Sequence, residues 1–156
     1  MQFVNSKNEA YMEQLCRIRR LYGILGNFDF SINNISENNL TRVDMLLCFF
    51  TNCYHLRDWL KESGIIENKK LNNFIEKSYE LSICRNICLG AKHLNVKKPS
   101  NPQMYKGVNT PIGISFDCWE NREKLTVSVD GREIDCIDLA EKCLDQWEDF
   151  IKKNVK

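Results

Sequence analysis

Histidine is scarce in this chain: His55 and His93 are the only two in 156 residues. Any imidazole acid–base chemistry must therefore use one of them. Net charge is also missing. Twenty-two Lys plus Arg face 21 Asp plus Glu, a formal charge of +1, which gives no bulk pull towards nucleic acid or membrane, so such binding requires a local patch. No apolar run approaches the roughly 18 residues of a membrane span, and the start MQFVNSKNEAYMEQ lacks the basic-then-apolar layout of a signal peptide. The expectation is a cytoplasmic protein without membrane contact. A Gly-rich phosphate loop, an H-E-x-x-H helix and a G-x-S-x-G turn are all absent, which disfavours the enzyme classes built on them. There is no internal repeat or low-complexity tract.

What is present suits one compact domain over residues 1–156, with 43% hydrophobic and 28% charged residues. Residues 6–25 carry Tyr11, Leu15, Ile18, Tyr22 and Leu25 on one helical face, and Ser6 with Glu9 reads as a capping box. Gly23 and Gly26 weaken the end of this helix. Residues 26–39, rich in Asn and Ser, read as a loop before a second helix over 42–63, with Thr41 and Asp44 as its start and Gly64 as its stop. Val43, Leu46, Leu47, Phe50, Cys53, Leu56, Trp59 and Leu60 give that helix a broad apolar surface, which predicts a central position. A short helix over 68–77 and a fourth over 80–93, with Leu81, Cys84, Cys88 and Ala91 in step, complete a bundle over 6–94. As the two most apolar long helices, the second and fourth should pack on each other.

All three prolines fall in 95–111, predicted to be an exposed loop. The apolar period then changes to two, and 112–136 reads as a small antiparallel meander. Ile112, Ile114, Phe116 and Cys118 form its first strand, and Leu125, Val127 and Val129 its second. Asp130-Gly131 is its tight turn before Ile134 and Cys136. A closing helix over 138–154 starts with Asp138 and Glu141 and buries Ala140, Cys143, Leu144, Trp147 and Ile151. The fold class is mainly α (α+β): a helical bundle of about five helices with a small β-meander before the C-terminal one.

The eight cysteines would suggest disulfides in a secreted chain. Most occupy positions that want a small apolar residue, so the preferred reading is reduced core cysteine, with no metal and no cofactor. A zinc reading would use Cys84 and Cys88, one helical turn apart, with Cys53 and His55 from a neighbouring helix.

Two polar constellations remain. His55 and Asp58, three apart on the second helix, share a face, and an Asp beside a His can fix its tautomer. On the fourth helix Arg85 and Lys92 point one way while Asn86 and His93 form an adjacent stripe. A cationic pair beside an amide and an imidazole can hold a phosphate and move a proton. Lys97 and Lys98 follow, and Arg17, Arg19 and Arg20 form a second small basic cluster.

Arg85-Asn86 followed by His93 in a helical bundle resembles the HEPN superfamily of small all-helical domains over about residues 40–95. In that family an Arg, often followed by Asn, Asp or His, precedes a His by four to six intervening residues; here seven intervene. The runs Cys-Tyr-His-Leu-Arg-Asp-Trp-Leu, Cys-Arg-Asn-Ile-Cys-Leu-Gly-Ala-Lys-His and Asp-Leu-Ala-Glu-Lys-Cys-Leu-Asp-Gln-Trp are also similar to a group of small bacterial proteins, a likeness that implies no activity. The HEPN resemblance implies a metal-independent ribonuclease or RNA-binding protein of a bacterial defence or toxin system, working as a homodimer with its site between subunits. Arg85 would hold the scissile phosphate, His93 would move protons on the 2′-hydroxyl and Asn86 would orient them. Lys92, Lys97 and Lys98 would bind RNA, with His55 and Asp58 as secondary catalytic candidates. The alternative is a non-catalytic adaptor for a protein partner, which near-zero charge favours.

Overall fold

Apolar spacing of three and four residues builds each helix of the computed structural model, which describes residues 7–27, 35–92, 126–129 and 132–155. Helix α1, Ala10–Gly26, follows a 3-10 turn at Lys7–Glu9 and buries Tyr11, Leu15, Ile18 and Leu25. Its cap is Glu9, with no side-chain hydrogen bond. Because the 3-10 turn takes up Lys7–Glu9, Glu9 is not the third helical residue that a Ser6 capping box requires. Ser6 itself lies outside the described residues.

Helix α2, Ile35–Ser63, is the longest among the described residues, with 29 residues. It starts seven residues before the expected 42, and Thr41 lies inside it. Asn and Ser cost a helix only a few tenths of a kcal/mol each relative to neutral residues, too little to halt one that is already nucleated. Gly64, at φ +73°, ends it as expected, since that left-handed conformation suits glycine.

Helix α3, Asn68–Lys77, and helix α4, Tyr79–Lys92, meet at Ser78. Extended backbone there (φ −88°, ψ 118°) breaks the helix. The Ser78 hydroxyl then accepts the backbone N–H of Leu81 at 3.1 Å, which caps α4.

Strands β1, Thr126–Val129, and β2, Arg132–Asp135, pair antiparallel with Val127 opposite Ile134. The expected loop over 95–111, the strand over 112–118 and the Asp130-Gly131 turn lie outside the described residues. Helix α5 is Cys136–Asn154, so Cys136 opens a helix and does not end a strand. Asp135 caps it, in place of Asp138: its Oδ1 accepts the N–H of Ile137 at 2.8 Å and of Asp138 at 3.0 Å. Cys136 is buried in either arrangement, so alternation alone could not separate the two.

Helices α2 and α4 pack on each other as expected, and α5 lies against α1, α2 and α4. Phe49, Phe50, Leu56, Leu60, Leu71, Ile83, Ile87 and Trp147 are all but fully buried between them. Phe74 stacks on Phe150 with ring centroids 4.0 Å apart and meets Trp147 edge-on at 5.3 Å, which fastens α3 to α5. Among the described residues no helix is long and apolar enough to cross a membrane.

Candidate anion site and a buried thiol cluster

Three helices contribute to a small polar pocket of about 150 Å³: Tyr54 and Arg57 from α2, Asn72, Ile75 and Glu76 from α3, and Arg85 from α4. Tyr54 and Arg57 reach it together because residues three apart share a helix face. Arg57 is held from two sides. Its Nε donates to Asn72 Oδ1 at 2.9 Å, and its Nη1 meets Asp58 Oδ1 at 2.8 Å. Arg85 is half-buried, and its Nε is fully buried with no hydrogen-bond partner among the described residues. A buried, unsatisfied guanidinium donor costs about 1–3 kcal/mol or more, and two guanidinium groups at one pocket offer donors in the geometry that phosphate and carboxylate oxygens accept.

Asn86 is half-buried on α4 next to Arg85. His93, Lys97 and Lys98 lie outside the described residues, as does the side chain of Lys92, the last residue of α4. His55 is exposed and has no hydrogen-bond partner among the described residues, and Asp58 pairs through Oδ1 with Arg57. The His55–Asp58 pair expected from spacing is therefore absent from this arrangement, and Asp58 braces an arginine instead. Asn72 and Glu76 were not singled out in the sequence, since nothing within α3 signals what it faces across the bundle.

The basic cluster on α1 is largely spoken for. Arg19 Nε lies 2.6 Å from Glu148 Oε1 on α5, a hydrogen bond that raises the Arg19 pKa. Arg17 donates to Gln14 Oε1, sits 3.8 Å from Glu13 and lies over the Trp59 ring, 5.7 Å from its centroid. Arg20 is exposed.

Five of the seven described cysteines are buried, namely Cys53, Cys84, Cys88, Cys136 and Cys143, while Cys16 and Cys48 are exposed. Three of the buried ones converge. Cys53 on α2, Cys84 on α4 and Cys143 on α5 place their Sγ atoms within 4.8 Å of one another. Cys84 donates to the Phe50 carbonyl oxygen at 3.3 Å and Cys143 to that of Glu80 at 3.4 Å. Burial opposes ionisation of all three. Burial and hydrogen bonding to its sulfur neighbours hold the Cys84 thiol well above the usual range, and the Cys53 contact does the same for Cys143. Cys53 carries the opposite balance: burial raises it, but its polar neighbours Cys143, Cys84 and the Trp147 indole outweigh that and lower it. The Trp147 Nε1 is buried without a partner at full hydrogen-bonding geometry among the described residues, so its N–H acts on the Cys53 sulfur as a nearby dipole.

The zinc reading of the sequence pairs Cys84 with Cys88 and adds Cys53 and His55, so it holds two of the three clustered thiols. Cys88 is buried one turn further along α4 and is not part of the cluster, and His55 faces solvent. Cys143 read only as a core position. A separate case is Cys136, whose thiol is pushed up to about 12 by burial and by Asp135, against the opposing charge of Arg42.

Comparison of the chain with protein-family models, with curated proteins and with solved structures gave no match.

Proposed function

We propose that the chain is a HEPN-like, metal-independent ribonuclease or RNA-binding protein of a bacterial defence or toxin system that grips an RNA phosphate with Arg85. The observation that carries this reading is the buried, unpartnered Arg85 Nε at a polar pocket shared with Arg57, Tyr54 and Asn72. An unsatisfied buried donor beside a polar pocket calls for a role beyond packing. The pocket's 150 Å³ suits a single phosphate group and not a whole nucleotide. Glu76 at its edge limits the negative charge that can enter.

In this reading Arg85 and Arg57 hold two non-bridging oxygens of the scissile phosphate, and Asn86 orients the group beside them. His93 takes the proton of the 2′-hydroxyl as the 2′-oxygen attacks phosphorus, the phosphorus–5′-oxygen bond breaks, and the leaving oxygen regains a proton. The products are a 2′,3′-cyclic phosphate and a 5′-hydroxyl. Lys92, Lys97 and Lys98 extend the contact along the RNA backbone, and two copies of the chain complete the site between them. Incubating single-stranded RNA with the protein in a metal chelator tests this: cyclic-phosphate ends should form, and both Arg85→Ala and His93→Ala should abolish them with the helical fold retained.

The adaptor reading has a separate support. A cleft of about 630 Å³ is lined by Phe74, Tyr79 and Phe150 together with Lys70, Lys77 and Glu80, a surface suited to a peptide with apolar side chains. Protein capture that persists in Arg85→Ala, with no RNA cleavage by the native chain, would favour it.

A further inference from the structure

The thiol cluster lies where α2, α4 and α5 meet, and none of its residues lines the Arg85 pocket, although Cys53 and Cys84 directly precede Tyr54 and Arg85 in the chain. Cys53 and Cys84 are fully buried, as is Cys143, and each offers one sulfur within 4.8 Å of the other two. Three sulfurs bound to one ion at about 2.3 Å stand about 4 Å apart where the shell is planar, as for copper(I), and closer where a lone pair makes it a pyramid, as for arsenic(III), so the three sulfurs must draw together by about 1 Å to bind. The surroundings define what such a shell accepts. Among the described residues no fourth His, Cys, Asp or Glu joins the three sulfurs, whereas structural zinc takes four ligands. Trp147 and the carbonyls of Phe50 and Glu80 are polar groups that act on the sulfurs, and among the described residues no side-chain cation does so.

We propose that Cys53, Cys84 and Cys143 form a three-coordinate sulfur site for a soft, thiophilic ion. Soft thiolate ligands select soft ions over hard ones, and two ions fit a shell of three: arsenic(III) and copper(I). Charge separates them. Arsenous acid exchanges its three hydroxyls for three thiolates; three As–O bonds break, three As–S bonds form, and the thiol protons leave with the hydroxyls as three waters. No oxidation state changes, and the product is neutral, as a dry core demands. Copper(I) held by more than one thiolate leaves net negative charge in that core, so arsenic(III) should bind the more tightly of the two. Because the sulfurs are sealed off, uptake requires local opening of the bundle and is faster during refolding.

The test uses the reduced full-length chain under anaerobic conditions, mixed with one equivalent of arsenite, of copper(I) or of zinc(II), natively and during refolding, and freed of excess by gel filtration. The expected result is one arsenic per chain, with a mass increase of one arsenic less three hydrogens, and a three-sulfur shell by X-ray absorption. Copper(I) in a three-sulfur shell supports the same site. Cys53→Ser, Cys84→Ser and Cys143→Ser should each lose the ion, while the Cys16→Ser/Cys48→Ser double variant should keep it. Where a serine variant fails to fold, the X-ray absorption of the unaltered chain decides alone. The proposal is overturned if neither soft ion is retained, if the shell holds fewer than three sulfurs, if the double variant loses the ion, or if zinc binds in preference with a fourth ligand. None of these readouts depends on RNA cleavage, so this site and the Arg85 reading stand or fall separately.

Discussion

Arg57 donates its Nε hydrogen to Asn72 Oδ1 across 2.9 Å, tying α2 to α3 at the edge of the polar pocket. That bond fixes the direction in which the remaining guanidinium donors face. Asn72→Ala should therefore cost about 1 kcal/mol of stability and weaken phosphate binding severalfold, whereas Arg57→Ala should weaken it more. A double-mutant cycle in RNA affinity checks this: the two losses should be strongly non-additive. Full additivity would show that Asn72 does not position Arg57.

Arg85 makes a sharper case, because the proposed binding role and the stability of the free protein set opposite demands on it. A buried donor without a partner is a burden on the free protein, so Arg85→Met, which keeps the apolar stem, should raise stability by about 1 kcal/mol while abolishing phosphate binding. Thermal denaturation with and without RNA measures both. A fall in stability would mean that Arg85 serves the fold.

Glu76 lines the same pocket with a carboxylate. Glu76→Gln keeps the shape and removes the charge, so inorganic phosphate and RNA should bind severalfold more tightly at low salt, with the gain shrinking as salt rises. Isothermal titration at two ionic strengths would show it; equal affinity in the two proteins would place the anion elsewhere.

The Cys136 thiol, pushed up to about 12 by burial and Asp135, makes the fold sensitive to alkali. A thiol is neutral when protonated, and the folded chain holds this proton more tightly than the unfolded chain, whose cysteine has its ordinary pKa near 8.5. Its contribution is thus fully present below about pH 8 and declines as the pH rises towards 12. Chemical denaturation from pH 7 to 10.5 should show a decline that Cys136→Ala reduces. An identical slope in the variant would remove Cys136 from the account.

Asp135 closes the first turn of α5 with two backbone hydrogen bonds. Asp135→Ala should cost about 1 kcal/mol and Asp135→Asn less, visible as a lower denaturant midpoint at unchanged slope. Asp138→Ala should be nearly silent by comparison, the reverse of what the sequence alone suggests.

That reversal shows where the sequence is legible. Apolar spacing located α3 to the residue, and Gly64 ended α2, because each depends on chemistry within a few positions. The start of α2 was missed because Asn and Ser read as a loop, although each disfavours helix only weakly. The start of α5 was missed because a buried Cys136 satisfies both a strand and a helix. Site geometry was less legible still. Spacing along α2 placed His55 beside Asp58, yet Arg57 takes the carboxylate. The meeting of Cys53, Cys84 and Cys143 depends on how three helices pack, which no spacing within one helix reports.

Under the proposed function, Arg85 engages the phosphate that His93 helps to cleave. The most direct measurement is cleavage of a labelled single-stranded RNA in the presence of a metal chelator by the native chain, by Arg85→Ala and by His93→Ala, each checked for intact helical structure. The account predicts 2′,3′-cyclic phosphate products from the native chain and none from either variant. Undiminished cleavage by either variant, or none by the native chain, would contradict it.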